Sequence, residues 1–308
     1  LARASARDHH DYPPAQTLSL PMSRLAALLA LLALVCALPL AAEPLTYPRH
    51  SSGADPEAYV VELLRQALAR SGGDYQLQPS PRPMPQSRAE QSLEQNDGAV
   101  QLMWSMTTRA REDVLLPIRI PLYKGLIGWR VPLVRREDKD WLAQVRSLDD
   151  LRPMRFGQRA DWPDTRILRD NGLQVITSQS YESLFRMLGA GRFDLFPREV
   201  VVAWSEQAQA ARDGLALEVD EHIVIHYPTA FYFFTSRARA DLAGTIERGL
   251  EAMIADGSFE ALFQQHHGAT LERARLDTRR VIELENLDLP AQTPFRRPEL
   301  WYRPNAPR

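Results

Sequence analysis

Three short clusters combine residue types that can hold a small charged molecule. The first is Ser105-Met106-Thr107-Thr108-Arg109-Ala110-Arg111, which follows the apolar run from Ala99 to Trp104. That run reads as a strand, so hydroxyls and an arginine gather at its carboxyl end. In open α/β sheets, ligands sit outside such ends. Arg111 can hold a carboxylate through two parallel N–H bonds, which lysine cannot do. Ser105, Thr107 and Thr108 can donate to the same oxygens, and a following helix would present free N–H groups. The same residues also suit an ordinary helix start, with Thr108 as cap and Arg111 on an exposed first turn. Arg109 reads as a surface residue. Trp104, closing the strand, is either a core residue or a cleft wall whose ring packs on an apolar or cationic ligand. Tyr47 ends the first strand on the same sheet edge, with Arg49 close behind, so both suit the same cleft.

The second cluster is Asp161-Trp162-Pro163-Asp164-Thr165, between a strand and a helix. Asp164 or Thr165 caps that helix most simply. Asp161 and Trp162 precede the cap, and tryptophan is costly to expose without a reason, so both are expected in the cleft. The third is Arg198-Glu199, again after a strand, with Pro197 expected to stop pairing and turn the chain. As a surface ion pair the two would matter little. As ligand groups, Glu199 would take an ammonium and Arg198 a carboxylate. Tyr47, Trp104, Ser105, Thr108, Arg111, Asp161, Trp162, Thr165, Arg198 and Glu199 thus form the candidate site. Its arginines, carboxylates, hydroxyls and aromatic walls suit a small zwitterion such as an amino acid, or a short peptide-like compound.

Other chemistries find little support. Lysine and arginine total 37 against 39 acidic residues, which leaves no electrostatic footprint for nucleic acid. No Cys/His cluster has metal spacing, and no glycine-rich phosphate loop appears. His266-His267 are adjacent, and adjacent helical residues do not face one another, so the pair reads as an exposed helix end. His222 and His226 flank a strand and read as structural. No nucleophile–base pair stands out, so neither catalysis nor a cofactor is expected.

The elements that must position these clusters alternate along the chain. Asp55 and Pro56 read as the cap and first turn of a helix whose apolar residues Tyr59, Val60, Leu63, Leu64, Ala67 and Leu68 recur at helical spacing. A strand at Tyr75–Gln78, a polar helix near Gln86–Gln95, a turn at Asn96-Asp97-Gly98 and the strand Ala99–Trp104 follow. An extended run from Gly125 to Val134 then leads, past a charged turn, to a second unit of the same style. It holds a short helix at Ser147–Leu151, strands at Arg155–Gln158, Gln174–Ile176 and Phe193–Phe196, and helices at Asp164–Asn171 and Tyr181–Leu188. Strands at Ile223–Ile225 and Ala230–Phe234 and two amphipathic helices, about Ala238–Asp256 and Ser258–His266, complete the pattern. Residues from Leu276 onward read as a proline-rich tail with little regular structure. This order implies α/β layers, sheets with helices on their faces.

Ahead of this lies Met22-Ser23-Arg24, an unbroken apolar run from Leu25 to Leu40, and Ala41-Ala42-Glu43. A basic start, an apolar core and small residues at the cut are the pattern of a secretory signal. The run is shorter than the roughly 20 residues that span a bilayer, and no stop-transfer charges follow it, which disfavours a retained anchor. A lipoprotein site at Cys36 would need a small residue where Val35 stands. The expectation is therefore export, to a bacterial periplasm, with residues 22–42 removed. Residues 1–21 read as sequence upstream of a start at Met22. The single cysteine, Cys36, leaves with the signal, so no disulfide is expected.

The order of pieces from Leu45 to Gly268 resembles the periplasmic solute-binding proteins of the amino-acid-binding type, with the two-lobed type 2 fold. The resemblance rests on short motifs in the right order. Thr108-Arg109-Ala110-Arg111 resembles the family's Thr-x-x-Arg segment. Ser147-Leu148-Asp149-Asp150-Leu151 with Phe156-Gly157 resembles the opening of its second lobe. Gly191-Arg192-Phe193-Asp194 resembles its helix-to-strand step, and Leu250 to Phe263, around Asp256-Gly257-Ser258-Phe259, its closing helix pair. The resemblance implies lobe one at 43–131 and 221–275, lobe two at 132–220, and a tail at 276–308. Each lobe would be a sheet flanked by helices, with two hinge strands near Leu126–Val134 and Ile223–Tyr227. It implies that Arg111 holds a ligand carboxylate. The chain departs from the family where a small Gly-Thr/Ser turn is replaced by Arg159 to Thr165, and where Phe196-Pro197-Arg198-Glu199 stands near the usual ammonium-holding aspartate. The function implied is capture of an amino acid or similar zwitterion by a monomer that serves an inner-membrane permease or sensor. The alternative is a periplasmic enzyme of the same fold, similar to cyclohexadienyl dehydratases, with Glu199 or Asp161 as general acid.

Overall fold

The computed structural model describes residues 43–49, 57–72 and 74–304. The expected signal, Cys36 and the helix cap at Asp55-Pro56 lie outside the described residues. These described residues form one compact unit by their contacts.

The first group of elements is β1 (Glu43–Arg49), α1 (Glu57–Arg70), β2 (Tyr75–Pro83), α2 (Gln86–Gln95), β3 (Leu102–Met106), α3 (Arg109–Val114) and β4 (Leu115–Ile118). Then come β5 (Trp129–Arg135), α4 (Leu148–Leu151), β6 (Arg155–Arg159), α5 (Pro163–Asp170), β7 (Gln174–Ser178), α6 (Tyr181–Gly189), β8 (Phe196–Glu199), α7 (Ala203–Arg212) and β9 (Leu217–Val219). The chain closes with β10 (Ile223–His226), β11 (Phe231–Ser236), α8 (Ala240–Ala255), α9 (Ser258–Ala274) and β12 (Arg280–Glu283).

Two sets of sheets result. In one, β1 pairs parallel with β2, and β11 runs antiparallel between β3 and β4. In the other, β5 runs antiparallel to β8, β9 and β10, β12 lies parallel to β10, and β6 pairs parallel with β7. A bridge from Phe156 to Leu195 ties β6 to the approach of β8.

The helical spacing of α1 does what its pattern demands: Tyr59, Val60, Leu63, Leu64, Ala67 and Leu68 are all buried. Burying such a side chain contributes about 1.5–3 kcal/mol. Gly249 of α8 lets the two helices meet closely, since an added Cβ there would lie 1.9 Å from the Ala67 carbonyl oxygen. On β11, Phe233 faces the main core while Tyr232 and Phe234 face a second cluster with Leu93, Val100 and Met103. A strand buried on both faces reads as a continuous apolar run, as this one does.

Several expectations need correction. The strand after the Asn96-Asp97-Gly98 turn starts later than expected and carries Trp104 at its middle rather than its end. The extended run from Gly125 is broken by a tight 3-10 turn at Leu126–Gly128, entered through Gly125 at φ 77°. Pro197 does not stop pairing. It lies inside β8 opposite Pro132. Val200 N donates to the Trp129 carbonyl, which by the antiparallel alternation puts the two prolines at a pair that exchanges no hydrogen bonds. Neither missing N–H costs a bond between the two strands. The helix expected to end at His266 continues to Ala274, and His267 is buried against Tyr59, Tyr123 and Phe263. Residues 203–212, to which no element was assigned, form α7. The stretch expected as an irregular tail opens with β12, and Leu276, Ile282, Leu284 and Leu300 are buried.

Where β5 and β10 run side by side, Gly128 is required by close approach. A Cβ there would meet the Tyr227 carbonyl oxygen at 2.1 Å. Tyr227 N in turn donates to Gly128 O at 3.2 Å.

Candidate functional site

A cavity of about 470 Å³ opens between the two sets of sheets. That lies within the range of roughly 300–1,000 Å³ usual for small-molecule sites. On one side it is lined by Met84, Gln86, Trp104, Tyr123 and Phe231, and on the other by Arg159, Asp161, Trp162, Gln179, Tyr181, Arg198, Glu199 and Glu206. A smaller cavity of about 140 Å³ adjoins it, since Asp161 and Trp162 line both. Met106, Thr107, Thr108, Arg166, Asp170, Asn286 and Asp288 are among its other walls.

Arg198 is the centre of the larger cavity's polar wall. It sits on β8 and is only 3% exposed. Its Nε and Nη2 donate to the two carboxylate oxygens of Glu206 at 2.6 and 2.7 Å. Glu199 approaches Nη2 at 2.9 Å. Nη1 is buried and finds no hydrogen-bond partner among the described residues. Aromatic rings surround the guanidinium: its carbon lies 4.7 Å from the centres of Trp162 and Phe196 and 5.7 Å from Tyr181. The Tyr181 hydroxyl donates to Glu206. Burial, and then the Glu206 charge, hold that phenol well above its ordinary pKa.

Behind this wall lies Arg130, fully buried on β5. It pairs with Asp164 at 2.6 Å and Glu199 at 2.8 Å. Tyr227 donates to Asp164 from the same side. Asp164 is therefore not the cap of α5; Trp162 occupies the cap position and Pro163 the first turn. Burial works to raise the pKa of Glu199, but the guanidiniums of Arg130 and Arg198 outweigh it and hold it at about 2. Burial likewise works against the charge on Arg130, and Asp164 and Glu199 more than reverse it.

The expected site residues separate into two sets. Trp104, Asp161, Trp162, Arg198 and Glu199 line the larger cavity together. Tyr47 stands behind Trp104, the rings 5.3 Å apart. Asp161 is held by Arg159 through two bonds of 2.8 Å. Ser105, Thr165 and Arg111 line neither cavity. Ser105 is buried and bonded to Gln86, which itself reaches the cavity. Thr165 Oγ1 donates to the Arg159 carbonyl at 2.6 Å, inside the first turn of α5. Thr108 lines the smaller cavity and caps α3, accepting from Arg111 N at 3.1 Å.

Arg111 is the largest departure from expectation. It is 6% exposed, and its Nε donates to Glu90 at 2.9 Å while Nη1 donates to the Met106 carbonyl. Its guanidinium carbon lies 5.9 Å from the Phe234 ring centre. It thus ties α3 to α2 and β3 rather than facing the cleft. Arg109 is on the surface as expected.

Sequence reasoning missed Arg130, Tyr181 and Glu206. Arg130 carried a signal, being a charge within an apolar strand, which must find partners. Glu206 carried none, because no element had been assigned around it. No group of three or more His, Cys, Asp or Glu among the described residues could hold a metal ion.

No family model matches the chain, and no curated protein does. Solved structures do. An ancestral arginine-binding protein bound to glutamine is 16% identical, with a TM-score of 0.55 over 74% of this chain and 98% of that one. An amino acid ABC transporter substrate-binding protein from Streptococcus pneumoniae, bound to L-arginine, is also 16% identical, with a TM-score of 0.54 over 75% and 96%. A histidine kinase sensor domain similar to periplasmic binding proteins gives 0.54 at 16% identity, over 74% and 96%. With sheets flanked by helices, a cavity between the two sets of sheets and these neighbours, the chain has the two-lobed α/β fold of the periplasmic binding proteins.

Proposed function

We propose that this protein is an exported solute-binding protein that captures an amino acid or similar zwitterion in the larger cavity. The two sets of sheets act as the two lobes. Trp104, Tyr123 and Phe231 come from one and Trp162, Tyr181 and Arg198 from the other, so a ligand between them draws the lobes together. One observation carries the reading. Arg198 is buried in the cavity wall with its Nη1 unpartnered, and a buried donor gains most from a charged acceptor. The ligand carboxylate is assigned to Arg198, in place of Arg111, and the ammonium to Glu199, Glu206 or Asp161.

The structural neighbours that bind arginine or glutamine support this class of ligand. That one neighbour is an ABC transporter substrate-binding protein and another a histidine kinase sensor domain supports delivery to a permease or sensor. The apolar run at Leu25–Leu40 supports export to the periplasm, and no helix among the described residues is long and apolar enough to cross a membrane. What stands against Glu199 as the general acid of a dehydratase is that the role needs a carboxyl that keeps its proton near neutral pH. Glu199 is pushed the other way, to about 2.

A thermal-shift screen against the common amino acids, starting with arginine and glutamine, tests the proposal. A ligand at 100 times its dissociation constant adds about 2.7 kcal/mol of stability. Absence of any shift across amino acids and small carboxylates at millimolar concentration would reject it.

A further inference from the structure

The segment after β12 does more than fill a surface groove. Asn171, which closes α5, clips the backbone of Glu285: its Nδ2 donates to Glu285 O at 2.8 Å, and its Oδ1 accepts from Glu285 N at 3.0 Å. Asn286 Nδ2 donates to Pro228 O at 3.0 Å. Asp288 then lies between two arginines, Arg109 of α3 at 3.4 Å and Arg166 of α5 at 3.7 Å. Arg109 fastens the same turn again, its N donating to Asp288 O at 3.1 Å and its Nη2 to Leu287 O at 2.6 Å. Farther on, Arg297 grips Glu251 of α8 through both terminal nitrogens, Leu300 is fully buried, and Tyr302 N donates to Lys124 O at 2.8 Å.

The chain is thus fixed first to α5 and to Pro228 just past β10, then to α3, α8 and the turn at Lys124. We infer that residues Glu285–Tyr302 form a strap across the two lobes that limits how far the cleft opens. This rests on the proposed reading of the two sheet sets as moving lobes. Rotation about β5 and β10 alone would let α3 part from α5. With the strap in place, that movement must pull Asp288 from one of its arginines or unclip Glu285 from Asn171. Partly exposed ion pairs hold weakly and are screened by salt. The Asn171 clip and the Leu300 anchor therefore carry much of the restraint.

Spin labels at Glu94→Cys on α2 and Arg186→Cys on α6, both exposed, with Cys36→Ser, report the lobe separation by electron–electron distance measurement. The protein is measured with no ligand added. With the strap intact a single narrow distance is expected. Asp288→Ala combined with Asn171→Ala should add a population at longer distance, and 1 M NaCl on Asn171→Ala alone should produce part of the same shift. A distribution unchanged in the double variant, or one already as broad in the unaltered strap, overturns the inference. Should the double variant lose its circular dichroism, Asn171→Ala in 1 M NaCl is the deciding measurement, because it opens the clip and screens the Asp288 ion pairs together; an unchanged distance there overturns the inference. No ligand is present in the measurement, so its outcome is separate from that of the amino-acid screen.

Discussion

Arg111 and Arg198 make an instructive pair. Both are buried arginines near the carboxyl ends of strands, and both have aromatic rings within reach of the guanidinium. Arg111 spends its donors on structure, bonding Glu90 and the Met106 carbonyl, and it lines no cavity. Arg198 is held just as firmly by Glu206, yet its Nη1 is left unpartnered and it stands in the cavity wall. The difference lies in what packs opposite. Glu90 of α2 reaches Arg111 from above β3, whereas Trp162 and Tyr181 cover Arg198 with flat faces that accept no conventional hydrogen bond. A motif can thus name an arginine without saying where its charge is spent.

The largest effect is expected behind the Arg198 wall. Arg130→Met leaves Asp164 and Glu199 without their shared cation, and breaking a buried pair in this way costs about 3–5 kcal/mol. Urea denaturation should show it as a large fall in midpoint. A loss no greater than that of a surface substitution would mean that the Arg130 network does not support the cavity.

Next comes the direct comparison. With a ligand found by the screen, Arg198→Ala should weaken binding by about 2–5 kcal/mol, much of it from an unpaired ligand charge. Arg198→Lys should not rescue it, since a point charge cannot keep the fork on Glu206 and donate to a ligand as well. Arg111→Ala should instead cost stability, about 1–3 kcal/mol, with little change in affinity. Calorimetry and denaturation of the same three variants separate the two roles. The reverse pattern, with affinity lost at Arg111, would restore the carboxylate to the Thr-x-x-Arg segment.

The smallest effect is one of pH, and it separates two buried groups, Glu199 and His267. Glu199 has its folded pKa depressed to about 2, so its contribution to stability is fully present above its unfolded value near 4.5. It is lost as pH falls from there through about 2. His267, packed against Tyr59, Tyr123 and Phe263, behaves differently. Burial, and then the neighbouring His266, lower its pKa to about 4. The unfolded chain takes up that proton near 6.5, so stability falls as pH drops from 6.5 to 4. Melting temperatures across pH 3–8 should show the upper step vanish in His267→Gln and the lower step flatten in Glu199→Gln. Identical profiles in the two variants would contradict both assignments.

Much of the fold was readable in advance because its signals are local. The apolar spacing of α1, the turn at Asn96-Asp97-Gly98, the Asp149-Asp150 helix and the break at Asp256-Gly257 each depend on residues within a few positions of one another. The elements were misjudged where a partner distant in sequence decides, as at Pro197, whose place in β8 rests on Pro132, and at β12, which needs β10 beside it. Trp104, Asp161, Trp162, Arg198 and Glu199, which line one cavity, could be grouped in advance because a strand's carboxyl end and an unexplained tryptophan are visible in one dimension. Arg130, Asp164, Tyr181 and Glu206 could not be grouped with them, and nothing along the chain showed that Arg111 bonds to Glu90 and the Met106 carbonyl. Their roles depend on ion pairs and ring contacts closed between separate elements. By itself the sequence determined those helices and strands whose signals are local, and which residue types stand at strand ends. Only the tertiary structure decided which charges neutralise one another and which N–H is left over, because Coulomb and hydrogen-bond partners are chosen by distance in space and not by distance along the chain.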